Sequence, residues 1–234
     1  MGDIILTLVW LALTIAIWLI SKRLTQMFRI SSLRNPLFFG IIALCILLPA
    51  FGVAPGDYLD RVRPMTFLVG LATVALALPL WQQRTLIRAN ARAMFLSTLA
   101  STLTGILSAI ALGWVLGLDA PYLASAGPKM TTLAVALPLS RLTGGWDNLA
   151  MLCVMCNGVG GSFISSALWQ HLLPKSGPEE RAFSLGLSSH AMGIARTLAI
   201  SPNHVSLASC GMLLSALITS AVYGVVLAAD KLSP

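Results

Sequence analysis

Residues 119–140 read Asp-Ala-Pro-Tyr-Leu-Ala-Ser-Ala-Gly-Pro-Lys-Met-Thr-Thr-Leu-Ala-Val-Ala-Leu-Pro-Leu-Ser. The stretch is apolar enough to enter a bilayer, yet Gly127-Pro128-Lys129 stands in its middle. Lys129 follows Asp119 by ten residues, roughly 15 Å along a helix at about 1.5 Å per residue, which is farther than its own side chain reaches. An unpaired ammonium at that depth costs about 2.5–3.5 kcal/mol on insertion scales. The lysine therefore faces a wet cavity or an anion, or else the segment enters late and leaves it at the interface. Pro128 disrupts a regular helix, and a helix beginning near it would point free N–H groups and a positive dipole end at a guest. Thr131 and Thr132 are then expected in its first turn, in a setting suited to a carboxylate.

The rest of the chain agrees with a membrane setting. Of 234 residues, 57% are apolar and 10% charged, against about 25% charged in an average soluble domain. Scanning for apolar stretches of roughly 20 residues yields residues 4–20, 37–53, 65–81, 93–116, 122–140, 149–172, 182–198 and 205–228. This predicts an all-α polytopic membrane protein of about eight transmembrane or re-entrant segments. We expect one domain over 1–234: a first helix and basic loop (1–34), a first repeat portion (35–117) and a second (118–234). The net charge of +7 comes without a basic run, so it reads as a topology signal and not as a nucleic-acid surface. Lys22, Arg23, Arg29 and Arg34 follow the first stretch, and Arg84, Arg88 and Arg92 the third, which places both loops in the cytoplasm. The first stretch follows Asp3 instead of a basic start, so it is expected to be retained, not cleaved as a signal.

The third, fifth and seventh stretches carry residues that a lipid-facing helix avoids: Pro79, Pro128 with Lys129, and Ser188-Ser189-His190 with Gly193 and Arg196. Residues 69–75 (Val-Gly-Leu-Ala-Thr-Val-Ala) echo 185–191 (Leu-Gly-Leu-Ser-Ser-His-Ala), the pattern of transporters whose interrupted helices, one from each repeat, meet near the midplane. His190 is a helix-to-helix hydrogen bonder or a proton carrier. Arg196 is a carboxylate ligand or an interfacial anchor. Asn157-Gly158 and Gly160-Gly161 favour close helix packing, with Asn157 also able to line a cavity. The candidate substrate-binding residues are Lys129, Thr131, Thr132, Thr73, Ser188, Ser189, His190, Arg196 and Asn157, and the candidate helix breaks are Pro79, Pro128 and Gly193.

No Asp or Glu lies as deep as Lys129, His190 and Arg196, so the interior is biased against cations. Cys45, Cys153, Cys156 and Cys210 sit in apolar stretches as small hydrophobes. Without a metal cluster, nucleotide loop or acid–base pair, neither enzyme activity, nor a metal, nor a cofactor is expected.

Four strings carry a resemblance: Asn35-Pro36-Leu37; Ala72-Thr73-Val74-Ala75-Leu76-Ala77-Leu78-Pro79-Leu80; Pro128-Lys129; and Ser189-His190-Ala191-Met192-Gly193-Ile194-Ala195-Arg196. In order and spacing they resemble the LrgB/CidB family, which includes YohK-like proteins and the LrgB-like half of the plastid glycolate/glycerate translocator. The resemblance implies a multi-pass protein of the bacterial inner membrane. It implies carriage of small carboxylates of the glycolate, glycerate or pyruvate kind, with proton coupling as an option. Alternatively it implies a holin- or antiholin-like role in murein hydrolase export and cell lysis, beside an LrgA/CidA-type partner or as a homo-oligomer. Two departures fall where a site would be. Met130-Thr131-Thr132-Leu133-Ala134 replaces the usual Ser-Val-Thr-Thr-Pro, and Ile194 stands where Thr is common.

Overall fold

A computed structural model describes residues 2–27, 36–75 and 77–232. Among them there is no strand. The chain divides into two compact units, Met1–Leu78 and Pro79–Pro234.

In the first unit, α1 (Gly2–Met27), α2 (Pro36–Ala50), α3 (Pro55–Arg61) and α4 (Arg63–Ala75) follow one another. Gly52, at φ +64°, turns the chain between α2 and α3, whose axes bend by 112°. Trp10 packs edge-on against Tyr58 at 5.7 Å, and the Tyr58 hydroxyl lies 3.0 Å from that of Thr14, which fixes α3 against α1. Helix α5 (Ala77–Gln82) straddles the boundary and holds Pro79 in its first turn. A proline is tolerated there because a first-turn N–H has no partner to lose.

The second unit is built on three long helices: α6 (Arg84–Val115), α9 (Asp147–His171) and α11 (Val205–Leu232). Together with α1 they are the four described helices long and apolar enough to cross a bilayer singly, and the bent α2–α3 pair would make a fifth span. All eight apolar stretches are mainly helical over the described residues, but the fifth and seventh do not traverse the unit.

The fifth consists of α7 (Ala120–Ala126), a 3₁₀ turn (Gly127–Met130) and α8 (Leu133–Leu142). Thr131 and Thr132 between them are extended (φ −123°, ψ 178° and φ −69°, ψ 152°). The chain folds back on itself there. Gly145, just past α8, lies against Ser125 of α7; the Trp146 N–H donates to Ser125 Oγ at 2.8 Å, and the Trp146 ring packs on Tyr122 at 5.0 Å. Both ends of this first hairpin therefore lie at the N-terminal end of α9.

The seventh stretch is α10 (Pro178–Ile200), broken at His190, whose φ of 51° and ψ of −129° are non-helical. Residues 185 and 193 of an unbroken helix would lie about 12 Å apart. Instead the Gly193 α-carbon approaches the Leu185 carbonyl so closely that a β-carbon there would strike it. Leu207, at the start of α11, clusters with Ala182 near the start of α10. The second arm thus returns to the level of the first, making a second hairpin with His190 at its apex. Its base lies at the opposite end of α9, where the Arg181 guanidinium stacks over Trp169 at 5.4 Å.

Glycine permits the close packing of this second hairpin. A β-carbon on Gly186 would run into the Ala208 backbone of α11, and one on Gly211 into the Phe183 carbonyl at 2.5 Å. Apolar side chains seal the opposite end, where Ile106, Leu139 and Tyr223 form a buried cluster.

Candidate functional site

The two apices meet inside the second unit. The imidazole of His190 faces the Met130 backbone. The Met130 carbonyl also accepts the Ser215 hydroxyl from α11 at 2.6 Å. Met130 in turn packs over Gly105 of α6, where no larger residue would fit without displacing it. Lys129, half-buried beside Cys153 of α9, donates from Nζ to the Gly105 carbonyl at 2.9 Å. It makes no ion pair among the described residues, whose salt bridge is Arg141–Asp147 at the exposed base of the first hairpin.

Helix α9 positions the second apex. Asn157 Nδ2 donates to the Ser188 carbonyl at 2.6 Å, and that carbonyl is one freed by the break two residues on. Gly158 admits the Ser189 carbonyl, and Gly161 admits the Ser189 hydroxyl. Asn157 lies ten residues into a 25-residue helix, so the contact falls about 15 Å from one end of α9. The positive φ at His190 is a conformation that glycine adopts freely and other residues hold at a cost of about 1–3 kcal/mol. Backbone strain of that kind concentrates at functional sites.

Several sequence expectations take a definite place. Lys129, Thr131, Ser189, His190 and Asn157 gather at or beside the paired apices, with Thr131 and Ser189 fully enclosed and His190 5% exposed. Thr131 and Thr132 are not in the first turn of a helix. Pro128 is the second residue of a 3₁₀ turn that opens at Gly127, the chain then extends, and α8 opens at Leu133 with Thr132 as its N-cap. Ser188 is tied back to its own helix through a hydroxyl bond to the Ser184 carbonyl at 2.8 Å. Arg196 lies in the returning arm at 1% exposure, enclosed by protein and not extended to an interface. Gly193 is the point of close approach and His190 the break itself. Thr73 belongs to α4 in the first unit, apart from this group in the chain's division.

Sequence reading passed over Gly105 and Ser215, which hold Lys129 and Met130, and also the buried hydroxyls of Thr98, Thr102 and Thr219. The available signal was hydroxyl spacing: Thr98 with Thr102 and Ser215 with Thr219 are each four apart, on one face of a helix. Among the described residues no group of three or more His, Cys, Asp or Glu side chains could hold a metal ion.

Long apolar helices and a buried polar meeting point of two hairpins define a polytopic all-α membrane protein. The chain belongs to the LrgB-like family, whose model matches residues 14–229. It is 26% identical to the holin-like protein CidB of Staphylococcus aureus, across 97% of this chain and 98% of that one. It is also 26% identical to the antiholin-like protein LrgB of Bacillus subtilis (79% and 80% covered), and 28% identical to a Haemophilus influenzae protein (90% and 87%). No solved structure matches the chain.

Proposed function

We propose that the protein is a carrier of small organic anions in the bacterial inner membrane, binding a carboxylate of the glycolate, glycerate or pyruvate kind where the two apices meet. The observation that carries this reading is Lys129: a cation in the interior of the second unit, beside two broken backbones, paired with a carbonyl and with no carboxylate. An incoming carboxylate supplies the missing countercharge. The N-terminal end of α8, which starts immediately beyond the extended threonines, adds unpaired N–H groups of the right polarity. His190, its Nε2 buried without a hydrogen-bond partner among the described residues, is available to take up a proton if transport is proton-coupled.

The test is uptake of labelled glycolate, glycerate, lactate and pyruvate into vesicles carrying the purified protein, with and without a pH gradient. Saturable uptake lost in Lys129→Gln, with the variant still monodisperse in detergent, is the expected result. Undiminished uptake in that variant refutes the site.

The names of the relatives, holin-like and antiholin-like, favour a second reading, which the family resemblance extends to modulation of murein hydrolase export and lysis through oligomers or an LrgA/CidA-type partner. That reading requires no selective anion site. Leakage of an uncharged dye from the same vesicles, unsaturated by any carboxylate, would establish it over the first.

A further inference from the structure

The two ends of the second unit differ in what they enclose. Towards the base of the first hairpin, the cavity is small and greasy: about 190 Å³, lined by residues such as Ile106, Ile110, Leu123, Val222 and Tyr223. Towards the base of the second hairpin, besides a pocket of about 530 Å³ formed by the loop from Leu172 to Glu180, two cavities reach between the helices. A cavity of about 510 Å³ runs between α6, α9 and α10, past Ser101, Asn157, Gly160, Ser165, Trp169 and Ser184. A second of about 450 Å³ shares Ser184 and Leu187 with it and reaches Asn90, Glu179 and Glu180. From Asn157 to Trp169 is twelve residues, so the first cavity extends about 18 Å along α9, from the apex contact to the hairpin base.

The lining and the mouth have distinct chemistry. No charged residue lines the 510 Å³ cavity. Its wall is mostly apolar, and the hydroxyls of Ser165, Ser184 and Ser188 bond back to their own helices, so it offers an anion no strong ligand that would trap it; the volume holds a small carboxylate with several waters at about 30 Å³ each, which supply the solvation. At the mouth, Arg181 is held in place. Its guanidinium stacks over Trp169, which lines the cavity, and its Nε donates to Ser176 Oγ at 3.0 Å, with no carboxylate in ion-pair contact among the described residues. Of the nearby acids, Glu180 caps the Gly177 N–H at 2.7 Å, and Glu179 borders the neighbouring cavity. The same end carries Arg84, Arg88, Arg92 and Lys175, the cytoplasmic signature of the positive-inside rule.

Resting on the carrier reading, we infer that this cavity is the cytoplasmic vestibule through which small organic anions reach the paired apices, and that Arg181 is the steering charge at its mouth. The structure is thus open towards the basic end and closed at the other by the Ile106–Leu139–Tyr223 cluster.

Gly160 provides a direct test. It lines the cavity, yet a β-carbon on it would meet nothing within 4 Å, so Gly160→Leu obstructs the passage without pushing on backbone. Gly224, equally open but remote from the cavity, is the control as Gly224→Leu. Cys156, itself a lining residue, serves as reporter once Cys45, Cys153 and Cys210 are replaced by alanine. In phosphatidylethanolamine/phosphatidylglycerol vesicles, an impermeant anionic methanethiosulfonate should modify Cys156 from the face that bears Lys175 and not from the other, and glycolate should slow it. Gly160→Leu should reduce both modification and glycolate uptake at least tenfold, with Gly224→Leu unchanged. Arg181→Gln should slow the anionic reagent several-fold but not a neutral one, a charge effect that a purely structural role would not produce. Modification from the opposite face, or full uptake in a folded Gly160→Leu, overturns the inference. One-sided modification without carboxylate uptake by the unaltered protein upholds the opening, refutes an anion as its occupant, and refutes the carrier reading.

Discussion

The ammonium of Lys129 and the carbonyl of Gly105 stand 2.9 Å apart, a bond that crosses from the first hairpin to the middle of α6. Helix α6 keeps its own ladder and the Ser108 hydroxyl donates to the same carbonyl at 3.2 Å, so the carbonyl serves three donors, and a guest anion can draw the ammonium away at modest cost. Lys129→Arg should retain the charge but misplace it, because a planar fork does not reproduce a compact ammonium. Glycolate uptake in vesicles should fall several-fold for Arg and to background for Gln, with thermal stability in detergent little changed for either.

His190 offers a stability test independent of transport. Glycine accepts its φ of 51° without strain, whereas alanine does not, so His190→Gly should be more stable than His190→Ala by about 1 kcal/mol or more. Thermal unfolding of the two purified variants, compared directly, checks it; both should be inactive if the imidazole is required.

Replacing Gly186 should disrupt folding itself. Its α-carbon presses on the Ala208 backbone, which cannot rotate away, so Gly186→Ala forces α10 and α11 apart. Overpacking of this kind costs about 1–3 kcal/mol. We expect a lower melting temperature and a poor yield of monodisperse protein, measured beside Gly224→Ala as an open-site control.

Asn157→Leu should loosen the second apex. Removing the amide breaks the hydrogen bond that ties the Ser188 carbonyl to α9 at the wall of the cavity, at a cost of about 0.5–1.5 kcal/mol. Hydrogen–deuterium exchange should show faster opening of residues 186–192, with residues 127–132 less affected.

Hairpins from opposite ends also make a topological prediction. Single cysteines at Arg141 and Lys175 mark the bases of the first and second hairpins, and an impermeant maleimide should reach them from opposite faces of the membrane. Labelling of both from one face would be incompatible with the arrangement of α9 between them.

The membrane character was legible because composition and stretch length depend on the bilayer alone and not on tertiary contacts. The break at Gly127–Thr132 was legible for a similar reason, since proline lacks an N–H and a lysine that deep needs company. Ser188-Ser189-His190 with Gly193 marked the seventh stretch as interrupted, but the reversal at His190 was not legible, because it depends on the packing of Gly186 and Gly193 against neighbouring backbone. Glycine beside an interruption suggested that it was the hinge, whereas here it supplies room and histidine bears the strain. The resemblance between residues 69–75 and 185–191 did not indicate which breaks would meet, because small apolar residues encode little about the path of the chain. Within the second unit the structure brings 127–132 to 190.

The unequal ends of the second unit have an electrical consequence. Water in the wider opening would carry the potential of the bulk solution inward, so the membrane voltage would fall mainly across the greasy half around Tyr223. A monovalent anion leaving by that route would cross most of the field within the roughly 15 Å between the apices and the end of α9, at about 2.3 kcal/mol per 100 mV. The resting potential of the cell would then act directly on the rate of that one step.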